Sequence, residues 1–100
     1  MKIRSKICEI QYLSMLCKTI GFDCFTDFAA HVNQFSVSLH NGKWNRDSQP
    51  IKTEFYVEDS HHPLQKADSV IYQLKQILKK NKINYSELIE VERIEIDYRF

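Results

Sequence analysis

Apolar residues recur at helical spacing between Leu64 and Lys80, where Leu64, Ala67, Val70, Ile71, Leu74, Ile77 and Leu78 form one stripe. The pattern predicts an amphipathic helix laid on a sheet. Asp59 and Ser60 are candidate caps, and Pro63 suits the first turn. Lys75, Lys79, Lys80 and Lys82 gather at the end where the helix dipole is negative.

A different period governs the middle of the chain. From Gln34 to His40, Phe35, Val37 and Leu39 alternate with Ser36, Ser38 and His40, the mark of a half-solvated antiparallel strand. Asn41-Gly42 ends it, and Ile51, Thr53, Phe55 and Val57 supply one face of a partner strand over 51–57. The loop between them carries Trp44, Asn45, Arg46 and Pro50. The tail from Leu88 to Phe100 alternates again and reads as a closing strand. Ile89 and Val91 sit on the opposite parity from Ile94, Ile96 and Tyr98, so a bulge or bend is expected near Arg93.

The first third is more ambiguous. Leu13, Leu16, Cys17 and Ile20 ahead of Gly21 favour a helix, although Cys8, Ile10 and Tyr12 also fit a strand. Phe22, Phe25, Phe28, Ala29 and Val32 have helical spacing, but the aromatic and threonine content favours a strand leading into the Phe35 hairpin. The expected order is therefore α-β-β-β-α-β: an α+β domain with an antiparallel sheet of three to four strands, covered on one face by two helices.

A chain of 100 residues fits one domain over 1–100 and leaves no room for a second. With 43% hydrophobic and 27% charged residues, and only two glycines and two prolines, most of it is expected to be ordered. The net charge of +1 creates no general attraction for polyanions or anionic membranes. Neither a signal peptide nor a membrane span is expected, which points to the cytoplasm. Cys8, Cys17 and Cys24 are odd in number and contain no C-x-x-C pair, so reduced thiols are expected rather than a disulfide framework. Abundant Lys, Ile and Asn with scarce Ala and Gly suggest AT-rich coding, as in a low-GC bacterium or its phage.

Catalytic and metal-binding patterns are weak. His31, His40, His61 and His62 contain no H-x-x-x-H or H-E-x-x-H pair, and adjacent His61 and His62 in an extended segment point apart, so surface or cap positions are expected and no metal. Cys17 lies on an apolar stripe and Cys24 among phenylalanines, which suits packed thiols better than nucleophiles. The glycine-rich phosphate loops and the nucleophile elbow are missing from the sequence. No cofactor, no small-molecule ligand and no enzymatic activity are expected.

The order α-β-β-β-α resembles, in topology only, that of the double-stranded-RNA-binding domain, whose second helix carries lysines at its N-terminal end. Here only Lys66 lies near that end, while Lys75, Lys79, Lys80 and Lys82 lie at the other, so the family is not assigned. Those five lysines remain the alternative, nucleic-acid-binding surface.

Recognition residues are more evident in the hairpin loop. Trp and Arg are enriched at binding hot spots, so Trp44, Asn45 and Arg46, with Tyr56 on the neighbouring strand, are the expected contacts for a protein partner. Tyr72, Tyr85 and Tyr98 add amphipathic surface, and Glu87, Glu90, Glu92, Glu95 and Asp97 form a possible acidic stripe on the tail. The expected function is a small non-enzymatic module that binds another protein or itself, through an accessible sheet edge, expected at the C-terminal strand, together with the Trp44 to Arg46 loop. A thiol- or metal-dependent enzyme is the second alternative.

Overall fold

The computed structural model describes residues 2–84 and 86, together with the strand backbones of 89–91 and 97–99. Along the chain these form α1 (Lys2–Thr19), β1 (Cys24–Ala29), a 3-10 turn (Ala30–Val32), β2 (Gln34–Leu39), β3 (Ile51–Tyr56), α2 (His61–Lys80), β4 (Ile89–Val91) and β5 (Asp97–Arg99). The α+β class, the element order through α2 and the antiparallel sheet of β1–β3 covered by two helices agree with the expectation.

The helical option prevails over the strand in the first third because Ile3, Ile10, Leu13 and Cys17 share one buried face that only a 3.6-residue period produces. That helix stops at Gly21, which adopts φ +91. Gly21 N–H bonds to Lys18 C=O at 3.0 Å and Phe22 N–H to Cys17 C=O at 3.0 Å, the paired closure of a Schellman motif. Ile20 thereby falls outside the helix and is exposed, while Phe22 drops into the core.

The caps are shared differently from the sequence expectation. Ser60 is the N-cap residue of α2, but its hydroxyl donates to Glu58 rather than accepting from the helix. Asp59 caps the other helix: its Oδ1 accepts the Ile3 N–H of α1 at 2.8 Å. The two helices are further tied by the ion pairs Lys6–Asp68 and Lys75–Glu9.

Strands β1, β2 and β3 form an antiparallel meander in full register, from Cys24↔Leu39 to Ala29↔Gln34 and from Gln34↔Tyr56 to Leu39↔Ile51. Phe35, Val37, Leu39, Ile51 and Phe55 point to the helices and meet Ala67, Val70, Leu74 and Ile77 in one core. The αL residue Asn33 closes the β1–β2 turn and brackets Val57 with two hydrogen bonds, Val57 N–H to its C=O at 2.8 Å and its Nδ2 to Val57 C=O at 2.9 Å. Past α2, the fully buried Gln73 holds Asn84 by both its N–H and its C=O, at 3.0 and 2.9 Å.

The tail adds two short strands rather than one. β4 and β5 pair antiparallel with each other, and β5 lies parallel to β3, giving the order β1-β2-β3-β5-β4. β4 and β5 therefore run in opposite directions, which simple alternation along the tail does not reveal. The expected bend near Arg93, the residues Tyr85, Glu87, Glu92 and Glu95, and the side chains of Glu90, Asp97 and Tyr98 lie outside the described residues.

Candidate interaction edge

The sheet has two edges, β4 and β1. Sequence reasoning placed the accessible edge at the C-terminal strand; the second edge, β1, is the longer and is described with its side chains. Among the described residues no strand pairs with its outer side. Asp23, which leads β1, turns its backbone toward β2: its N–H bonds to Gly42 C=O at 3.0 Å and its C=O accepts His40 N–H at 2.9 Å. Backbone polar groups alternate in direction along a strand, so Phe25 and Asp27 also face β2, and Cys24, Thr26 and Phe28 direct theirs to the open side.

Side chains make that edge more than a row of amides. On the helix-covered side, Cys24 and Thr26 form the floor of a groove of about 390 Å³ whose walls include Gln11, Ser14, Met15 and Lys18 of α1. Met15 is 66% exposed on the flank of α1 beside β1, and Phe28 is 50% exposed at the far end of the strand. On the outer side Phe25 stands edge-on to the His40 ring, with centroids 5.5 Å apart. Asp27 is the one charged residue within Cys24–Ala29. Edge strands are commonly guarded by Lys, Pro or a bulge, and β1 carries none of these.

The loop after β2 is fixed to the same end of β1. The Asp23 carboxylate accepts Trp44 N–H at 2.7 Å and pairs with Lys18 at 3.3 Å. The Trp44 amide, followed by Lys18, holds that carboxyl below the usual Asp range. His40 belongs to the outer face, as its alternation implies, yet it is only 4% exposed because Phe25 and the loop cover it. This corrects the surface position expected for it. Its Nδ1 lies 2.8 Å from Ser48 Oγ, and the same hydroxyl donates to Asn45 C=O at 2.9 Å and accepts Asn45 N–H at 3.2 Å. Burial pushes the His40 pKa down, Asp23 opposes that, and Lys52 adds to it.

Trp44, Asn45 and Arg46 are all exposed on this loop, and Trp44 lies beside the start of β1. Tyr56 is not brought to them. It ends β3 opposite Gln34, whereas the loop springs from the Leu39↔Ile51 end, roughly 17 Å away along the strand. Tyr56 instead flanks a small cleft with Glu58, His62 and Lys66.

The lysines of α2 do not converge. Lys66 donates to Glu54 C=O at 3.1 Å on the β3 side, and Lys75 faces α1 through Glu9. Lys79 and Lys80 close the helix and Lys82 lies beyond it, all three exposed. His61 and His62 begin α2 with their rings 5.7 Å apart, edge to face, rather than pointing apart in an extended segment.

Cys8 is exposed, Cys24 half-buried and Cys17 buried, with its thiol donating to Leu74 C=O at 3.6 Å. Burial, helped by nearby Cys24, pushes the Cys17 thiol up to about 11. Burial also raises Cys24, against a lowering hydrogen bond from Ser14, so both thiols are protonated at neutral pH. Among the described residues no group of three or more His, Cys, Asp or Glu stands close enough to hold a metal ion, and no helix is long and apolar enough to cross a membrane.

Sequence reasoning found the Trp44 loop but missed Asp23 and Ser48, the two residues that hold it. A short polar residue at a strand start and another inside a turn are common patterns, and nothing in their spacing points to each other. Compared with known proteins, the chain matches no family model, no curated protein and no solved structure.

Proposed function

We propose that this chain is a small interaction module that takes up an extended protein segment along the open side of β1. The single observation that carries the reading is a six-residue edge strand whose outer side pairs with no strand among the described residues, beside a groove walled by Met15 and Lys18. In strand addition, main-chain hydrogen bonds supply affinity and alternate side chains supply selectivity. Here the backbone groups of Cys24, Thr26 and Phe28 provide the first. The groove on one face and Phe25 on the other provide the second, with exposed Trp44 extending the contact at the Cys24 end. The lysine surface has no comparable convergence, since Lys66 and Lys75 are engaged on opposite flanks of α2. Three free cysteines, one of them exposed, support a reducing, cytoplasmic setting for the module.

The reading is tested by selecting short peptides from a random display library and mapping the strongest binder by amide chemical shifts on the labelled protein. The expected result is a peptide whose largest perturbations fall on Cys24, Thr26, Phe28 and the α1 residues Gln11 and Met15. A binder that perturbs the lysine-bearing end of α2 and leaves β1 unmoved would overturn it.

A further inference from the structure

We infer that the segment occupying the β1 edge is β1 of a second copy of this chain, paired antiparallel about a two-fold axis perpendicular to the sheet and passing midway between the two Thr26 residues. The inference rests on the edge reading above and adds the partner and the register.

Three independent features of β1 select the same arrangement. The first is hydrogen bonding. Cys24, Thr26 and Phe28 present the free N–H and C=O groups, and centring the pair on Thr26 places Thr26 opposite Thr26 and Cys24 opposite Phe28 of the other copy. All three outward residues are then paired, giving about six inter-chain hydrogen bonds, whereas a shift of one residue pair either way leaves about four.

The second feature is charge. A two-fold axis perpendicular to the sheet keeps each face aligned with its own kind, so residues of equal parity meet. Centred on Thr26, Asp27 faces Phe25 of the other copy. Shifting one way sets Asp27 against Asp27, and shifting the other sets Asp23 against Asp27. Like charges directly opposite in a ladder are unfavourable, so both shifted registers are penalised and the central one is not.

The third feature is shape. Phe28 lies on the helix-covered face, as its pairing with Phe35 requires, and is half exposed. In the central register it sits against Cys24 of the other copy, on the floor of the groove walled by Ser14, Met15 and Lys18. The two-fold repeats this contact, so each copy supplies one aromatic side chain and one groove. Such self-complementarity is what an isologous interface demands.

The central contact also has a specific chemical signature. Directly opposed residues of a hydrogen-bonded antiparallel pair have Cα atoms about 5.5 Å apart, inside the roughly 4.4–6.8 Å span that a disulfide bridges. Thr26→Cys, with Cys8 and Cys24 changed to Ser, is therefore expected to give a disulfide-linked dimer under mild oxidation. Phe25→Cys in the same background is not, because Phe25 opposes Asp27.

The experiment is sedimentation equilibrium of the full chain over a wide concentration range, with the cross-linking pair alongside. The expected result is an apparent mass that rises from 11.9 kDa to twice that value, with Phe28→Lys weakening association by about tenfold or more. Thr26→Pro abolishes association without unfolding the chain, because the N–H it removes points away from β2. If Thr26→Pro does not fold, Phe28→Lys and the cross-linking pair decide. A chain that stays monomeric, or that cross-links through residue 25 and not 26, overturns the inference. A monomer that still takes a peptide on Cys24, Thr26 and Phe28 overturns only the second copy as occupant. A dimer indifferent to both Thr26→Pro and Phe28→Lys, with no peptide perturbing those amides, overturns the edge reading as well.

Discussion

The Trp44 amide donates to the Asp23 carboxylate at 2.7 Å, and this bond fastens the tip of an eleven-residue connection, 40–50, to the residue that leads the open edge strand. Asp23 also joins β1 to the end of β2 through its backbone, so one residue sets the start of the edge and the place of the loop.

Loss of that carboxylate is therefore expected to release Trp44 without dissolving the fold. Because Trp44 is the chain's one tryptophan, its fluorescence reports the change directly. Asp23→Ala at neutral pH should shift the emission to the red and increase quenching by acrylamide, while the far-ultraviolet circular dichroism stays the same. In the native chain the Asp23 carboxyl is held below its ordinary value by the Trp44 N–H and by Lys18. Its hold on the loop is thus complete above the ordinary Asp range and is lost as pH falls through the lowered value. Emission that does not respond to either change would contradict this anchoring.

His40 is expected to make stability depend on pH over a different window. Its folded pKa lies below the ordinary imidazole value, chiefly through burial, so the unfolded chain binds the proton more readily. The contribution of neutral His40 is present above the ordinary value near 6.5 and declines as pH falls from there toward the lowered folded value. Replacing it by Gln, which cannot titrate, should flatten that part of the urea-unfolding midpoint against pH. Parallel declines in the native chain and His40→Gln would show that another group is responsible.

Asp59 is expected to behave as a cap for the helix farthest from it in sequence. Its bond to Ile3 N–H spans 56 positions. Asp59→Ala should cost about 0.5–2 kcal/mol of global stability and increase amide exchange in the first turn of α1. Faster exchange in the first turn of α2 instead would assign the cap to the helix that the sequence suggests.

The core was legible because it depends on periodicity. The stripe from Ala67 to Ile77 and the alternation of Phe35, Val37 and Leu39 each repeat over several turns or residue pairs, and the buried set follows both. The features that went unread depend on single contacts between distant residues. Asp59 looked like a local cap because caps are judged from the next few residues, and nothing nearby marks the N-terminus of α1 as its partner. His40 looked like a solvated strand residue because alternation assigns a face and cannot show that Phe25 and Ser48 cover it. Trp44 was identified by residue type, but its relation to an edge was not, because the edge strand was the segment whose period was ambiguous between helix and strand. Tyr56 was grouped with it by sequence proximity across a hairpin, and register separates them.

The most direct measurement of the central claim is residue-resolved amide hydrogen exchange along β1 in dilute and in concentrated solution. The account predicts an alternating pattern when dilute: Phe25 and Asp27 are protected by β2, while Cys24, Thr26 and Phe28 exchange rapidly from the open side. On concentration, or on adding a selected peptide, those three amides gain protection together. Uniform protection along β1 in the dilute chain, or three fast amides that neither concentration nor peptide slows, would contradict it.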